Sequence, residues 1–188
     1  GICRETSAEL KGYAAQVVDN VEVTTEAGLG RLATALQGQT IDLLINNAGI
    51  LHDDVLGSLD IDSLRLQMEV NAFAPLRVCE VLLPNMQAGS KIANITSRMG
   101  SIGSNLSGGH YGYRASKAGL NALGRSLAID LFKRGITLAL LHPGWVATAG
   151  GSADAPLSAA QSVAAMRAIV ERSGNHETGQ FASHSGQL

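Results

Sequence analysis

Short apolar runs at 41–45, 91–96 and 136–141 alternate with long stretches of helical spacing at 61–83 and 113–134. Apolar runs of this length, bounded by turn residues, suit strands buried on both faces of a parallel sheet. Strands that alternate with helices predict an α/β fold, with one parallel sheet covered by helices on both faces. In such a doubly wound sheet the ligand site lies at the carboxyl ends of the strands.

The remaining segments extend the pattern. Residues 1–4 read as the tail of a strand, and 13–37 as a strand over 18–23 followed by a helix carrying Leu29, Leu32, Ala33 and Leu36. Gly28 and Gly30 fall inside that helical pattern, so they do not read as a phosphate-binding turn. In 61–83, Leu64, Met68, Ala72, Leu76 and Leu83 give the apolar spacing, with Asp62 or Ser63 as the cap. In 113–134 the stripe is Leu120, Leu123, Leu127 and Leu131, and Gly135 is the stop. Ser158 is placed to cap a helix running to about 173, and 179–183 reads as the last strand.

At 188 residues the chain suits a single domain, 1–188, with a substantial core. The net charge of −2, with no block of Lys or Arg, gives no indication of a nucleic-acid or anionic-membrane partner. No apolar run approaches the ~20 residues of a spanning helix. The first ten residues lack the pattern of a secretion signal. Cys3 and Cys79 have no metal or redox spacing, so they read as reduced thiols of a cytoplasmic protein. The five histidines show no metal-ligand spacing, and no metal is expected.

Chemistry concentrates between 92 and 117. Tyr113 and Lys117 are four apart, so on a helix they share one face. An ammonium beside a phenol favours the phenolate, and the tyrosine is expected below its ordinary pKa of about 10. Ser97 follows the strand at 91–96, where an open sheet would place it near that pair. Ser101, Ser104 and Ser107 also precede Tyr113, and a Ser after a strand often serves only as a turn or cap residue. Tyr111 has no Lys four residues on and is left to line a substrate site. His142, ahead of Pro143, reads as structural. Asn46-Asn47-Ala48-Gly49 ends the run at 41–45; its small residues permit close backbone approach, and its Asn side chains can brace adjoining strands.

Ser97 with Tyr113-Arg114-Ala115-Ser116-Lys117 resembles the Ser and Tyr-x-x-x-Lys signature of the short-chain dehydrogenase/reductases. Asn46–Gly49 resembles that family's Asn-Asn-Ala-Gly motif, Asn71 stands where its catalytic asparagine lies, and His142–Val146 resembles its Pro-Gly motif. The wording Ser-Arg-Met-Gly-Ser-Ile and Tyr-Arg-Ala-Ser-Lys-Ala is most similar to the C-factor/sniffer-like carbonyl reductase branch.

The resemblance implies a Rossmann-like fold and hydride transfer between NADP(H), or NAD(H), and a small carbonyl or alcohol. It implies Tyr113 as proton donor, Lys117 as its partner and a ligand of the nicotinamide ribose, and Ser97 as donor to the carbonyl oxygen. Asn71 would sit in a locally distorted helix and hold, through its backbone, a water leading from Lys117 to solvent.

Cofactor contacts are implied at Asn47, Ala48 and Gly49, at Pro143, Gly144, Val146 and Thr148, and, on the adenine side, at Glu22 and Val23. Arg4 would face a 2′-phosphate, though an ordinary surface arginine reads equally well there. Residues 147–157 would form the substrate lid, with Ala149 and Gly150 standing where the branch places Asp and Met. Helices 61–83 and 113–134 match those that commonly form the family's dimer or tetramer contact.

The family also begins with a Gly-rich strand–turn–helix unit of about 30 residues. The chain as given has no equivalent and reads as an excerpt lacking that unit, whose strand would be central. The alternative, from the same branch, is a nucleotide-sensing or signalling protein without catalysis.

Overall fold

The computed structural model describes residues 1–148 and 154–186. Its main sheet, among those residues, is parallel throughout and runs β1 (Leu43–Asn46), β2 (Lys91–Ile95), β3 (Thr137–His142), β6 (Phe181–Ser183). Leu44 pairs with Ile92, Ile92 with Leu138, and Leu140 with Phe181. A second, two-stranded piece pairs β4 (Val146–Ala147) with β5 (Leu157–Ser158).

Strand alternation sends successive side chains to opposite faces, and each face has its own core. On one, Leu44, Ile92, Leu138 and Leu140 pack against Leu32 of α2 (Glu26–Ala35), Val78 and Leu82 of α4 (Ala74–Leu82), and Leu131 of α5 (Tyr111–Phe132). On the other, Ala93, Ala139 and Leu141 meet Ile169 and Val170 of α6 (Ala159–Arg172). The three layers expected from the alternation are therefore present.

Local chemistry sets the helix ends. Thr25 caps α2, and Ser158 caps α6 in a capping box with Gln161, as the sequence predicts for Ser158. The cap of α3 (Ile61–Met68) is Asp60, whose carboxylate accepts from the N–H groups of both Asp62 and Ser63, the two residues expected to cap it. Gly135, at φ +69°, lies just past the end of α5.

One expectation is corrected. No strand forms over 18–23. Val18 makes one parallel bridge to Ile2, and Asn20 turns to φ 54° so that its N–H and that of Val21 reach the carbonyls of Arg4 and Cys3. The helix over 61–83 forms, and a π-turn, Glu69–Phe73, lies within it between α3 and α4, the local distortion that the resemblance implies at Asn71.

Among the described residues, β1 is an edge of the main sheet. Leu43 and Ile45 are 43% and 56% exposed there, and a cavity of about 540 Å³ separates them from Ile2 and Val18.

Candidate active site

The carboxyl ends of β1, β2 and β3 deliver three groups of residues side by side: Asn47–Gly49, Ser97, and Pro143–Thr148. Helix α5 lies across them. Gly100, just after Ser97, is pressed so closely on α5 that a Cβ there would stand 2.7 Å from the carbonyl carbon of Lys117. This contact holds the Ser97 loop against the helix bearing Tyr113 and Lys117.

Ser97 is 8% exposed and accepts the Met99 N–H at 3.1 Å. Its side chain lies near enough to the Tyr113 phenol to pull its pKa down. Ser101 and Ser104 bond instead to each other, which singles out Ser97 among the loop serines. Lys117 is 4% exposed; its Nζ donates to the Ile95 carbonyl at 2.8 Å and lies 5.7 Å from the centroid of the Tyr113 ring.

The expected depression of the tyrosine is not found. Burial pushes the Tyr113 phenol above its ordinary value, and nearby Ser97 only partly opposes this. Burial also holds the Lys117 amine down at about 8.

Asn71 is fully buried inside the π-turn. Its side chain donates to the Ile50 carbonyl (2.8 Å) and Ser116 Oγ (2.9 Å) and accepts the Ile50 N–H (2.8 Å). The side chain is thus structural, which leaves the backbone for any role in a relay. Pro75, four residues on, has no N–H to give the Asn71 carbonyl. That proline was the available sequence signal for the distortion. Gly49 lies between the two groups: a Cβ there would be 3.2 Å from Asn71 Oδ1 and 3.6 Å from Lys117 Nζ.

A cleft of about 500 Å³ extends from Gly49 across Asn47 and Ala48 to Val23, Glu22 and Arg4. The last two face each other at 3.7 Å, and Glu22 also accepts from Thr24. At one end of this cleft Gly49 leaves a flat approach to Lys117. Gly28 plays no part in it, because a Cβ there would meet the Glu22 carbonyl oxygen at 2.0 Å; it is a packing glycine.

Asn46 bonds Asn94 across β1 and β2 at 2.8 Å, the brace expected of the motif. Beyond β3, Gly144 adopts φ +84° and Pro143 accepts from Ser162 (2.7 Å). Val146 sits in β4 and Thr148 is exposed after it. Ala149 and Gly150 fall outside the described residues. Burial, Arg98 and His184 hold His142 down at about 4, so it is neutral at pH 7, consistent with a structural role. Tyr111 is 39% exposed at the first turn of α5.

Sequence reading passed over Ser116, Thr96 and Asn121. Ser116 links Asn71 to the Tyr113 carbonyl, and Thr96 donates to Asn121 at 2.7 Å, tying β2 to α5. As common polar residues without diagnostic spacing, they gave no signal.

The family model described as enoyl-(acyl carrier protein) reductase matches residues 3–182. The chain is 41% identical over 148 residues to 1-hydroxy-2-glutathionyl-2-methyl-3-butene dehydrogenase of Rhodococcus sp. (strain AD45), covering 78% of this chain and 66% of that one. It is 41% identical over 149 residues to C-signal of Myxococcus xanthus, covering 78% and 90%. The chain thus spans just under two thirds of the first of these relatives. Among solved structures, NADPH-bound carbonyl reductase from chicken fatty liver superposes with a TM-score of 0.89 at 28% identity, over 100% of this chain and 85% of that one. Carbonyl reductase Sniffer of D. melanogaster gives 0.89 at 27%, over 99% and 85%.

Proposed function

The chain belongs to the short-chain dehydrogenase/reductase family, and from that premise we propose that it is an oxidoreductase that reduces a small carbonyl compound, or oxidises the alcohol, with NADP(H). The observation that carries this reading is the meeting of Ser97, Tyr113 and Lys117 beside Gly49 and Asn71.

In the reducing direction Tyr113 is the general acid. Its raised pKa keeps the phenol protonated at neutral pH, as a donor must be. Ser97 donates to the substrate oxygen as negative charge develops on it. Lys117, protonated below about 8, favours the phenolate left behind and restores its proton. Asn71 lies in the π-turn, and its backbone leads that proton onward. Asn47, Ala48, Gly49, Glu22 and Val23 would hold the cofactor, along with Pro143, Gly144, Val146 and Thr148; when bound, the cofactor supplies the hydride. Arg4, exposed at the cleft mouth, supports NADP(H) over NAD(H), because a guanidinium matches a phosphate bidentately. The NADPH bound in the chicken carbonyl reductase supports the same choice.

We also propose a homodimer or tetramer through the segments 61–83 and 113–134. Leu66, Phe73, Ile129 and Phe132 lie exposed on them. No helix among the described residues is long and apolar enough to cross a membrane.

The test is NADPH oxidation by the full-length protein against small aldehydes and ketones, beside Tyr113→Phe. Turnover should fall on the order of 10²- to 10⁴-fold in the variant while NADPH still binds. If wild type and variant are equally silent yet both bind NADPH, the nucleotide-sensing alternative replaces the enzyme. A single monomeric species on gel filtration at micromolar concentration would exclude the oligomer.

A further inference from the structure

Helix α5 starts without a cap of its own. His110, at the N-cap, is in the left-handed region (φ 50°) and makes no side-chain capping bond. The orphan N–H groups of a first turn need acceptors, and here the acceptor comes from 58 residues upstream. Asp54 Oδ2 takes the Gly112 N–H at 2.9 Å, and the Asp54 carbonyl takes the His110 N–H at 3.2 Å. Asp54 is only 5% exposed, and its carboxylate sits where the helix dipole favours negative charge.

Asp54 is itself held. Gln67, fully buried on α3, donates to the same Oδ2 at 3.3 Å, and its Oε1 takes the His52 N–H at 3.1 Å. The fit is close, because a Cβ on Gly112 would stand 2.4 Å from Gln67 Nε2 and 3.1 Å from Asp54 Oδ2. One carboxylate therefore joins three parts: the loop after Asn46–Gly49, the helix leading to Asn71, and the turn that carries Tyr113.

We propose that Asp54 is a positioning residue for Tyr113: by capping α5 at Gly112 and anchoring it to Gln67, it sets where the phenol stands relative to Ser97 and the Gly49 side of the cleft. The role is that of an acceptor at a fixed place, so the amide of Asn can fill it. The proposal rests on the reductase reading for its kinetic consequence, and on geometry alone for the placement of Tyr113.

The test uses the full chain with Asp54→Ala and Asp54→Asn, reading kcat, KM and NADPH affinity. It also follows the Tyr113 phenolate by ultraviolet titration, as the difference from Tyr113→Phe in each background. In Asp54→Ala, kcat should drop on the order of 10- to 100-fold, with KM and NADPH affinity within about threefold, as misplacement of a reacting group does. The phenol, held up by burial, should titrate at lower pH as the first turn loosens.

Asp54→Asn should restore both the rate and the titration. An unchanged kcat in Asp54→Ala, or an Asp54→Asn as impaired as Asp54→Ala, would overturn the proposal. If wild type turns over no carbonyl, the reductase reading fails by itself. The titration then decides placement: a shift in Ala but not Asn upholds it, and no shift overturns it. Should Asp54→Ala not fold, Gln67→Met, which removes the Gln67 hydrogen bond to Asp54 but leaves the Asp54 cap on Gly112 in place, should lower kcat on the order of tenfold. No loss there would overturn the proposal too.

Discussion

The amine of Lys117 makes its own test. It is 4% exposed, donates to the Ile95 carbonyl, and its pKa is held at about 8 against an ordinary 10.5. A pKa lowered on folding means the charged form is less welcome in the native protein than in the unfolded chain. At pH 7 both states are protonated, and the native state bears the full cost of the shift, about 3 kcal/mol. As pH rises through 8 the native amine loses its proton while the unfolded one keeps it up to about 10.5. Across that window the unfolded state binds more protons, so stability rises with pH.

The gain between pH 7 and pH 9.5 is about 2 kcal/mol. The assay is guanidinium denaturation of wild type and Lys117→Met at both pH values. Groups that titrate in both proteins cancel in the double difference, which should read about 2 kcal/mol in favour of wild type at the higher pH. A double difference near zero would mean that Lys117 is solvated like a surface lysine. The burial argument, and with it a lysine poised near neutral pH, would then be wrong.

Two further outcomes follow from packing. Cys79 is 1% exposed and burial pushes its thiol up to about 11, whereas Cys3 is partly exposed. A thiol reagent at pH 8 should therefore label one cysteine in the native protein and both after denaturation; two fast native labels would contradict the buried site. Gly28→Ala forces a methyl to within 2.0 Å of the Glu22 carbonyl oxygen. It should cost about 1–3 kcal/mol in denaturant midpoint, and a neutral effect would show that α2 does not press on that turn.

The layers of the fold were legible because burial writes itself into strands such as 136–141, where every residue is apolar or small, and into the Leu stripe of α5. Ser97, Tyr113 and Lys117 were legible because spacing on one helix and position after one strand are local facts. The strand over 18–23 was misread because Asn20 takes a left-handed conformation that apolar pattern does not announce. Asp60 lost the capping role to its neighbours in the sequence reading because boundaries rest on one or two residues. The pKa of Tyr113 was misjudged in direction, since charge proximity can be read from spacing but desolvation cannot. Asp54 and Gln67 were invisible for a similar reason: a cap supplied from 58 residues away exists only in three dimensions.

The π-turn at Glu69–Phe73 is also a matter of phase. An α-helix advances by about 100° per residue, and a π-turn admits one residue beyond the regular count. Upstream of it, Gln67 points to the loop at Asp54; downstream, Val78 and Leu82 point to the sheet. Removing one residue from the turn would straighten the rod and swing one of these faces about 100° away from its partner. The irregularity that shapes Asn71 is thus the same one that lets a single rod serve the site at one end and the core at the other. It cannot be shed by a one-residue deletion without cost to both, so a lineage that keeps this core inherits the bend with it.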